Sequence, residues 1–292
     1  MIILEILKAI FLGIVEGITE WLPVSSTGHM ILVDEFLQLN VSDAFLELYL
    51  VVIQLGAICA VPVLFFNRLN PFSRKKTTEQ RRGTWNLWGK VIIGVLPAAV
   101  IGVLLDDFFD EHFYNYIVVS IALIVYGIAF IIIEKFKSTR PYRVNDVSEL
   151  TYKDAAVIGA FQVLSLIPGT SRSGSTIIGG MLTGVSRVAS AEFSFFMAIP
   201  VMLGASLLKI VKFAAEYLGS ANPEAYIPEG QLGYYILYLA IGLLVSFLVS
   251  LVSIKFLMDF VKRHTFTAFG IYRIILGATV VGYFLVKTFL FN

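Results

Sequence analysis

The chain has 292 residues, 58% hydrophobic and 14% aromatic but only 15% charged, with a mean hydropathy of +0.83. That balance excludes an ordinary soluble domain and indicates an all-α, polytopic integral membrane protein. The net charge of +1 gives no reason to expect a nucleic-acid partner, and the one cysteine, Cys59, excludes an intramolecular disulfide or a Cys-rich metal site.

The first residues place Glu5 before Lys8 and contain no small-residue cleavage site, so a removable signal peptide is not expected. Residues 1–37 are apolar at both ends and broken in the middle by Pro23 and Gly28, the pattern of two half-helices in a re-entrant hairpin. The uncharged run Leu48–Asn67 predicts the first full crossing. Arg68, Arg74, Lys75, Lys76, Arg81, Arg82 and Lys90 follow and place the next loop in the cytoplasm. Val91–Leu105 crosses back to a loop holding Asp106, Asp107, Asp110 and Glu111, and Phe113–Ile133 returns to Lys135, Lys137, Arg140, Arg143 and Lys153. Residues 154–183 repeat the opening pattern, two half-helices around Pro168 and a hydroxyl-rich turn. Crossings over about Phe193–Leu208, Gly233–Ile254 and Phe266–Val286 complete the chain, with Lys255, Lys262 and Arg263 marking the inside. The count is six transmembrane helices, two re-entrant hairpins and both termini outside.

The halves resemble each other. Glu20-Trp-Leu-Pro23 aligns with Ser165-Leu-Ile-Pro168, and each half reads as a hairpin followed by three crossings. Three is odd, so the second copy is upside down, and the two tips meet within the membrane. The expectation is one membrane domain made of inverted repeats 1–134 and 154–288, joined by a cytoplasmic loop 135–153.

Polar residues inside such a chain mark function. Glu16 and Glu20 are four apart, share a helix face and can hold a divalent cation; the bland reading is the wet side of a surface helix. Ser25, Ser26 and Thr27 form a turn whose hydroxyls and N–H groups can surround an anion, although one of them serves as a helix cap. His29 lies three residues past Ser26 and can act as its base or protonate a leaving group. In the second tip Arg172 needs an anionic partner at membrane depth, either a ligand or Glu16, Glu20 or Glu192. Ser171, Ser173, Ser175 and Thr176 can donate to phosphate oxygens. Gln54, Gln162 and Arg273 read first as interhelical hydrogen-bonding groups. The catalytic set expected from this pattern is Ser26 as nucleophile with His29, Arg172 and Glu20, while Ser25, Thr27, Ser171, Arg172, Ser173, Ser175 and Thr176 bind phosphate and Glu16 and Glu20 hold the metal.

The pair Glu16-x-x-x-Glu20, the run Pro23-Val-Ser25-Ser26-Thr27-Gly28-His29 and Pro168-Gly169-x-Ser171-Arg172-Ser173-Gly174, together with Ala191-Glu192-Phe193-Ser194-Phe195, resemble the bacterial undecaprenyl-diphosphatase (bacitracin-resistance) family. The resemblance covers nearly the whole chain. It implies hydrolysis of undecaprenyl diphosphate to undecaprenyl phosphate and phosphate. It further implies recycling of the carrier lipid for peptidoglycan and other wall polymers, bacitracin resistance, a divalent cation such as Mg2+ or Ca2+, and a site in the bacterial cytoplasmic membrane open to the outer face. Type 2 phosphatidic-acid phosphatases share a loosely similar Pro-Ser-Gly-His block, but their lysine-arginine-proline opening and second histidine-aspartate block are absent. The rival expectation is a transporter or flippase for the same lipid, since inverted repeats with broken helices suit transport. The sequence leaves homo-oligomerisation open.

Overall fold

A computed structural model describes residues 2–137 and 141–291, with the backbone alone at 106, 107, 110, 290 and 291. Arg140 and the side chains of Asp106, Asp107 and Asp110, expected above to mark loops, therefore lie outside the described residues. The fold is all-helical. The helices are α1 (Ile2–Thr19), α2 (Ser26–Phe36), α3 (Asp43–Leu64), the single turn α4 (Phe66–Leu69), α5 (Thr78–Phe113), α6 (Tyr116–Lys137), α7 (Tyr152–Val163), α8 (Arg172–Leu182), α9 (Arg187–Gly219), α10 (Leu232–Arg263) and α11 (Thr267–Phe291). Among the described residues the only β-type pairing is an isolated bridge between Val144 and Val185.

Six of these, α3, α5 as far as Leu105, α6, α9, α10 and α11, are long and apolar enough to cross a membrane, in agreement with the sequence. Their ends are not where hydropathy puts them. α5 begins at Thr78 rather than Val91 and runs on to Phe113 through the segment expected to be an acidic loop, with only Leu105 leaving helical angles (φ −125°, ψ 16°). Hydropathy reports where the oily slab lies, whereas helix ends are set by caps. Thr77 and Gln80 form a reciprocal capping box at the start of α5, and Ser186 caps α9 through the Ala189 N–H at 3.2 Å.

The basic ends of the helices are tied to carboxylates. Arg68 reaches Asp146 at 2.8 Å and Glu192 at 2.7 Å. Arg187 grips Glu134 with two nitrogens, at 2.8 and 2.6 Å, and Glu134 also accepts from the Phe266 N–H at 2.8 Å. Arg143 pairs with Asp154. Burial alone would raise the Asp146 carboxyl, but hydrogen bonds from Ser148 and the Arg68 guanidinium outweigh it and hold the group below the ordinary carboxylate range.

Packing follows a repeated plan: α1 lies on α10 as α7 lies on α5, α3 and α9 pack on each other, and so do α6 and α11. Glycines set how close these pairs come. A Cβ on Gly13 would sit 2.8 Å from the Gly242 carbonyl oxygen, and one on Gly159 would sit 2.2 Å from that of Gly94. Gly127 and Gly270 would each put a Cβ 2.6 Å from the other's carbonyl oxygen. Small residues here let backbones approach as membrane helices require. The result brings the breaks between α1 and α2 and between α7 and α8 to the same place.

Candidate active site

Both breaks use the same local device. α1 ends at Thr19, ahead of Pro23, which has no N–H to donate to a further helical turn. Ser25 then takes φ 72°, ψ 105° and caps α2 by accepting from the Gly28 N–H at 3.3 Å. In the second break Ser171 takes φ 71°, ψ 126° and caps α8 by accepting from the Gly174 N–H at 3.2 Å. These are the only non-glycine residues with positive φ among the described residues. Such backbone costs about 1–3 kcal/mol each and persists only where surroundings enforce it. The turns leave the N-termini of α2 and α8 beside one another, each with first-turn N–H groups beyond the one its serine caps.

Side chains weld the two tips. Arg172 donates to Glu20 Oε1 at 2.9 Å and to the Ser194 carbonyl at 2.7 Å, with its guanidinium carbon 5.8 Å from the Trp21 ring centroid. Ser173 Oγ donates to the Glu20 carbonyl at 3.3 Å. Arg273, fully buried on α11, donates to the Pro23 carbonyl at 3.1 Å on one tip and to the Gly169 and Thr170 carbonyls at 2.8 and 3.0 Å on the other. It is thus interhelical, as its position suggested, but its partners are the backbones of both tips rather than a neighbouring side chain.

The residues singled out from sequence divide by exposure. Glu20, Ser26, Thr27, His29, Ser171 and Arg172 are partly exposed. Ser26 Oγ donates to Glu20 Oε2 at 3.3 Å, so a chain of contacts runs from Ser26 through Glu20 to Arg172. Ser25, Ser173, Ser175 and Thr176 are buried. Of these, Ser25 is spent as a cap, Ser173 on the first tip's backbone, and Thr176 on Ser194 Oγ at 2.7 Å. The expected direct pairing of Ser26 with His29 is absent among the described contacts. His29 Nδ1 instead donates to the Ser25 carbonyl at 2.7 Å, and Nε2 meets the Tyr272 hydroxyl at 2.6 Å. Ser26 and His29 share a helix face, but Ser26 Oγ is taken by Glu20 and both ring nitrogens of His29 by the Ser25 carbonyl and the Tyr272 hydroxyl.

Glu192, one of the partners considered for Arg172, is taken by Arg68. Ser194, Tyr272 and the clamping role of Arg273 were not read from sequence. The signal available for the last was an arginine within an apolar run.

The donor set fits a hard divalent cation in part. Glu16 is 2% exposed and its buried Oε1 lacks a hydrogen-bond partner, the state of a carboxylate oxygen awaiting a ligand. Among the described residues no three His, Cys, Asp or Glu side chains converge. Two carboxylates completed by phosphate oxygens and water is how Mg2+ is commonly held.

A chain with six helices long and apolar enough to cross a membrane, and with two strained helix starts meeting at a shared arginine, carboxylate and serine, is a multi-pass membrane protein built around a polar centre. The model of the family described as bacitracin resistance protein BacA matches residues 9–279, and the chain belongs to that family. It is similar over nearly its full length to proteins named undecaprenyl-diphosphatase. That of Enterococcus faecalis is 55% identical over 98% of this chain and 99% of the relative. That of Acetivibrio thermocellus is 56% identical over 97% and 98%, and that of Desulfitobacterium hafniense 53% over 99% of each.

Proposed function

We propose that this protein hydrolyses undecaprenyl diphosphate to undecaprenyl phosphate and inorganic phosphate, recycling the lipid carrier of wall polymers and thereby conferring bacitracin resistance. The observation that carries the reading is the contact chain Ser26–Glu20–Arg172 between two helix N-termini, in a chain whose relatives bear that enzyme's name over their whole length.

In the proposed reaction the diphosphate enters between the N-termini of α2 and α8, where Thr27, Ser171 and first-turn N–H groups face it. Arg172 exchanges its bond to Glu20 for one to the terminal phosphoryl group, which neutralises the substrate and leaves a Glu20 oxygen free to take a proton. Ser26 Oγ attacks the terminal phosphorus and its proton passes to Glu20. The bond to the bridging oxygen breaks, and its electron pair leaves on the lipid monophosphate. Water then displaces Ser26 from phosphorus, giving a proton to His29 while Glu20 returns its proton to Ser26 Oγ, and orthophosphate leaves. Glu16 and Glu20 would hold a divalent cation, Mg2+ or Ca2+. When bound, it supplies charge neutralisation to the diphosphate.

The same reading takes residues 1–134 and 154–288 as inverted repeats, with α1–α2 and α7–α8 as re-entrant hairpins in a bacterial cytoplasmic membrane and the site open to the outer face. Support comes from the matched caps Ser25 and Ser171 and the matched contacts of Gly13 and Gly159, each twelve residues before its capping serine. The broken, repeated helices also favour a second reading, a transporter of the same lipid. Purified protein in detergent, supplied with Mg2+ or Ca2+, separates the two, since no second compartment exists there. Release of phosphate supports the hydrolase, whereas well-folded protein releasing none leaves transport.

A further inference from the structure

We propose that Tyr272 is a positioning residue for His29, fixing the tautomer and orientation in which the imidazole serves the reaction. The proposal rests on the acid–base role assigned to His29 above. A backbone carbonyl only accepts, so the 2.7 Å contact of Nδ1 with the Ser25 carbonyl places a hydrogen on Nδ1. In the neutral ring Nε2 then carries the lone pair, and the Tyr272 hydroxyl, 2.6 Å away, donates to it. The two rings are nearly parallel, 11° apart with centroids at 5.6 Å, so the ring is held by its plane as well as by its nitrogens.

The anchorage of Tyr272 is what makes it a reference point rather than a passing neighbour. The next residue, Arg273, is fully buried and bonded to carbonyls of both tips. This stretch of α11 is therefore fixed to the very backbone that carries Ser25 and Ser171. Tyr272 itself is 45% exposed, which leaves its ring free to turn aside and release Nε2 when a proton is to be taken up. His29 is thus stored as a base with its lone pair at Nε2, covered by a hydroxyl that can leave. Ser26 needs no share in this, being bonded to Glu20.

The test uses the full chain in detergent, with histidine labelled in 15N. The chain has 3 histidines, so the signals of His29 are those missing from a His29→Gln variant. The wild type is expected to show His29 predominantly as the Nδ1–H tautomer, and Tyr272→Phe to populate the Nε2–H form as well. Phosphate release from undecaprenyl diphosphate by Tyr272→Phe is expected to fall about tenfold in kcat with KM nearly unchanged, the scale of one aligned hydrogen bond. In the His29→Gln background the same substitution is expected to change nothing further. Unchanged His29 spectra in Tyr272→Phe overturn the proposal, as does an equal loss of rate when Tyr272→Phe is made on His29→Gln. A changed tautomer with undiminished turnover also overturns it, and an impaired His29→Gln would then show that the fault lies with Tyr272 and not with the proposed reaction. Wild-type turnover by His29→Gln would instead remove His29 from the reaction and the proposal with it.

Discussion

Replacing Arg273 with methionine keeps a long, flexible side chain on α11 but removes the donors to the Pro23, Gly169 and Thr170 carbonyls. A buried acceptor left unpaired costs about 1–3 kcal/mol, which for three would reach roughly 3–9 kcal/mol. Two effects reduce that sum. The variant no longer buries a guanidinium, whose desolvation costs several kcal/mol. In a membrane the separated helices also find other partners, and an interhelical bond averages only about 0.6 kcal/mol. A net loss of about 2–4 kcal/mol is expected on these grounds, read as a lowered melting temperature in detergent. The rate should suffer more than the stability suggests. Arg172 and Ser173 still join the tips, but a displacement of about 1 Å between catalytic groups is enough for a hundredfold loss of turnover. Arg273→Lys should fall between, because a point-like ammonium cannot reproduce a planar fork over three carbonyls. If Arg273→Met melts and turns over like the wild type, the clamp is not what holds the tips in register.

Other substitutions probe the backbone and topology. Gly159→Ala would set a Cβ 2.2 Å from the Gly94 carbonyl oxygen and should cost about 1–3 kcal/mol by forcing α5 and α7 apart. Gly204→Ala, with nothing within 4 Å, should be neutral or slightly stabilising, and equal melting temperatures would refute the close-packing argument. At Ser171, alanine forfeits the cap, worth about 1 kcal/mol, and keeps the strained φ of 71°, whereas glycine forfeits the cap but relieves the strain. Thermal unfolding should therefore rank serine first, glycine second and alanine last, and alanine above glycine would contradict it. For topology, a cysteine placed near Arg81 should resist an impermeant thiol reagent applied outside intact cells; modification there would overturn the orientation.

The crossings were legible because a run such as Leu48–Asn67 carries no charge over a bilayer's thickness and most basic residues collect in short segments between such runs. Glu20, Ser26, His29 and Arg172 stood out for the opposite reason, being expensive in an oily chain, and the structure places Ser26, Glu20 and Arg172 in contact. Geometry that depends on three dimensions was not. Arg273 reaches Pro23 across the length of the chain, and no local pattern announces such a bond. Ser173 and Thr176 looked like ligands by type but are buried, because α8 is covered on all its sides from Ser173 to Met181. The positive φ of Ser25 and Ser171 had no signal, since glycine or asparagine is what that conformation ordinarily selects. The capping serines stand two residues after Pro23 and three after Pro168, so the prolines aligned by sequence are one position out of step in space.

The central claim is that the paired tips form a hydrolytic centre in which Ser26, bonded to Glu20, attacks phosphorus. The most direct measurement is the initial rate of orthophosphate release from undecaprenyl diphosphate by purified Ser26→Ala beside the wild type, at matched melting temperature and metal supply. The account predicts steady release by the wild type and a rate several decades lower for the variant. Release by Ser26→Ala at a rate near the wild type's would contradict it and make water the attacking group.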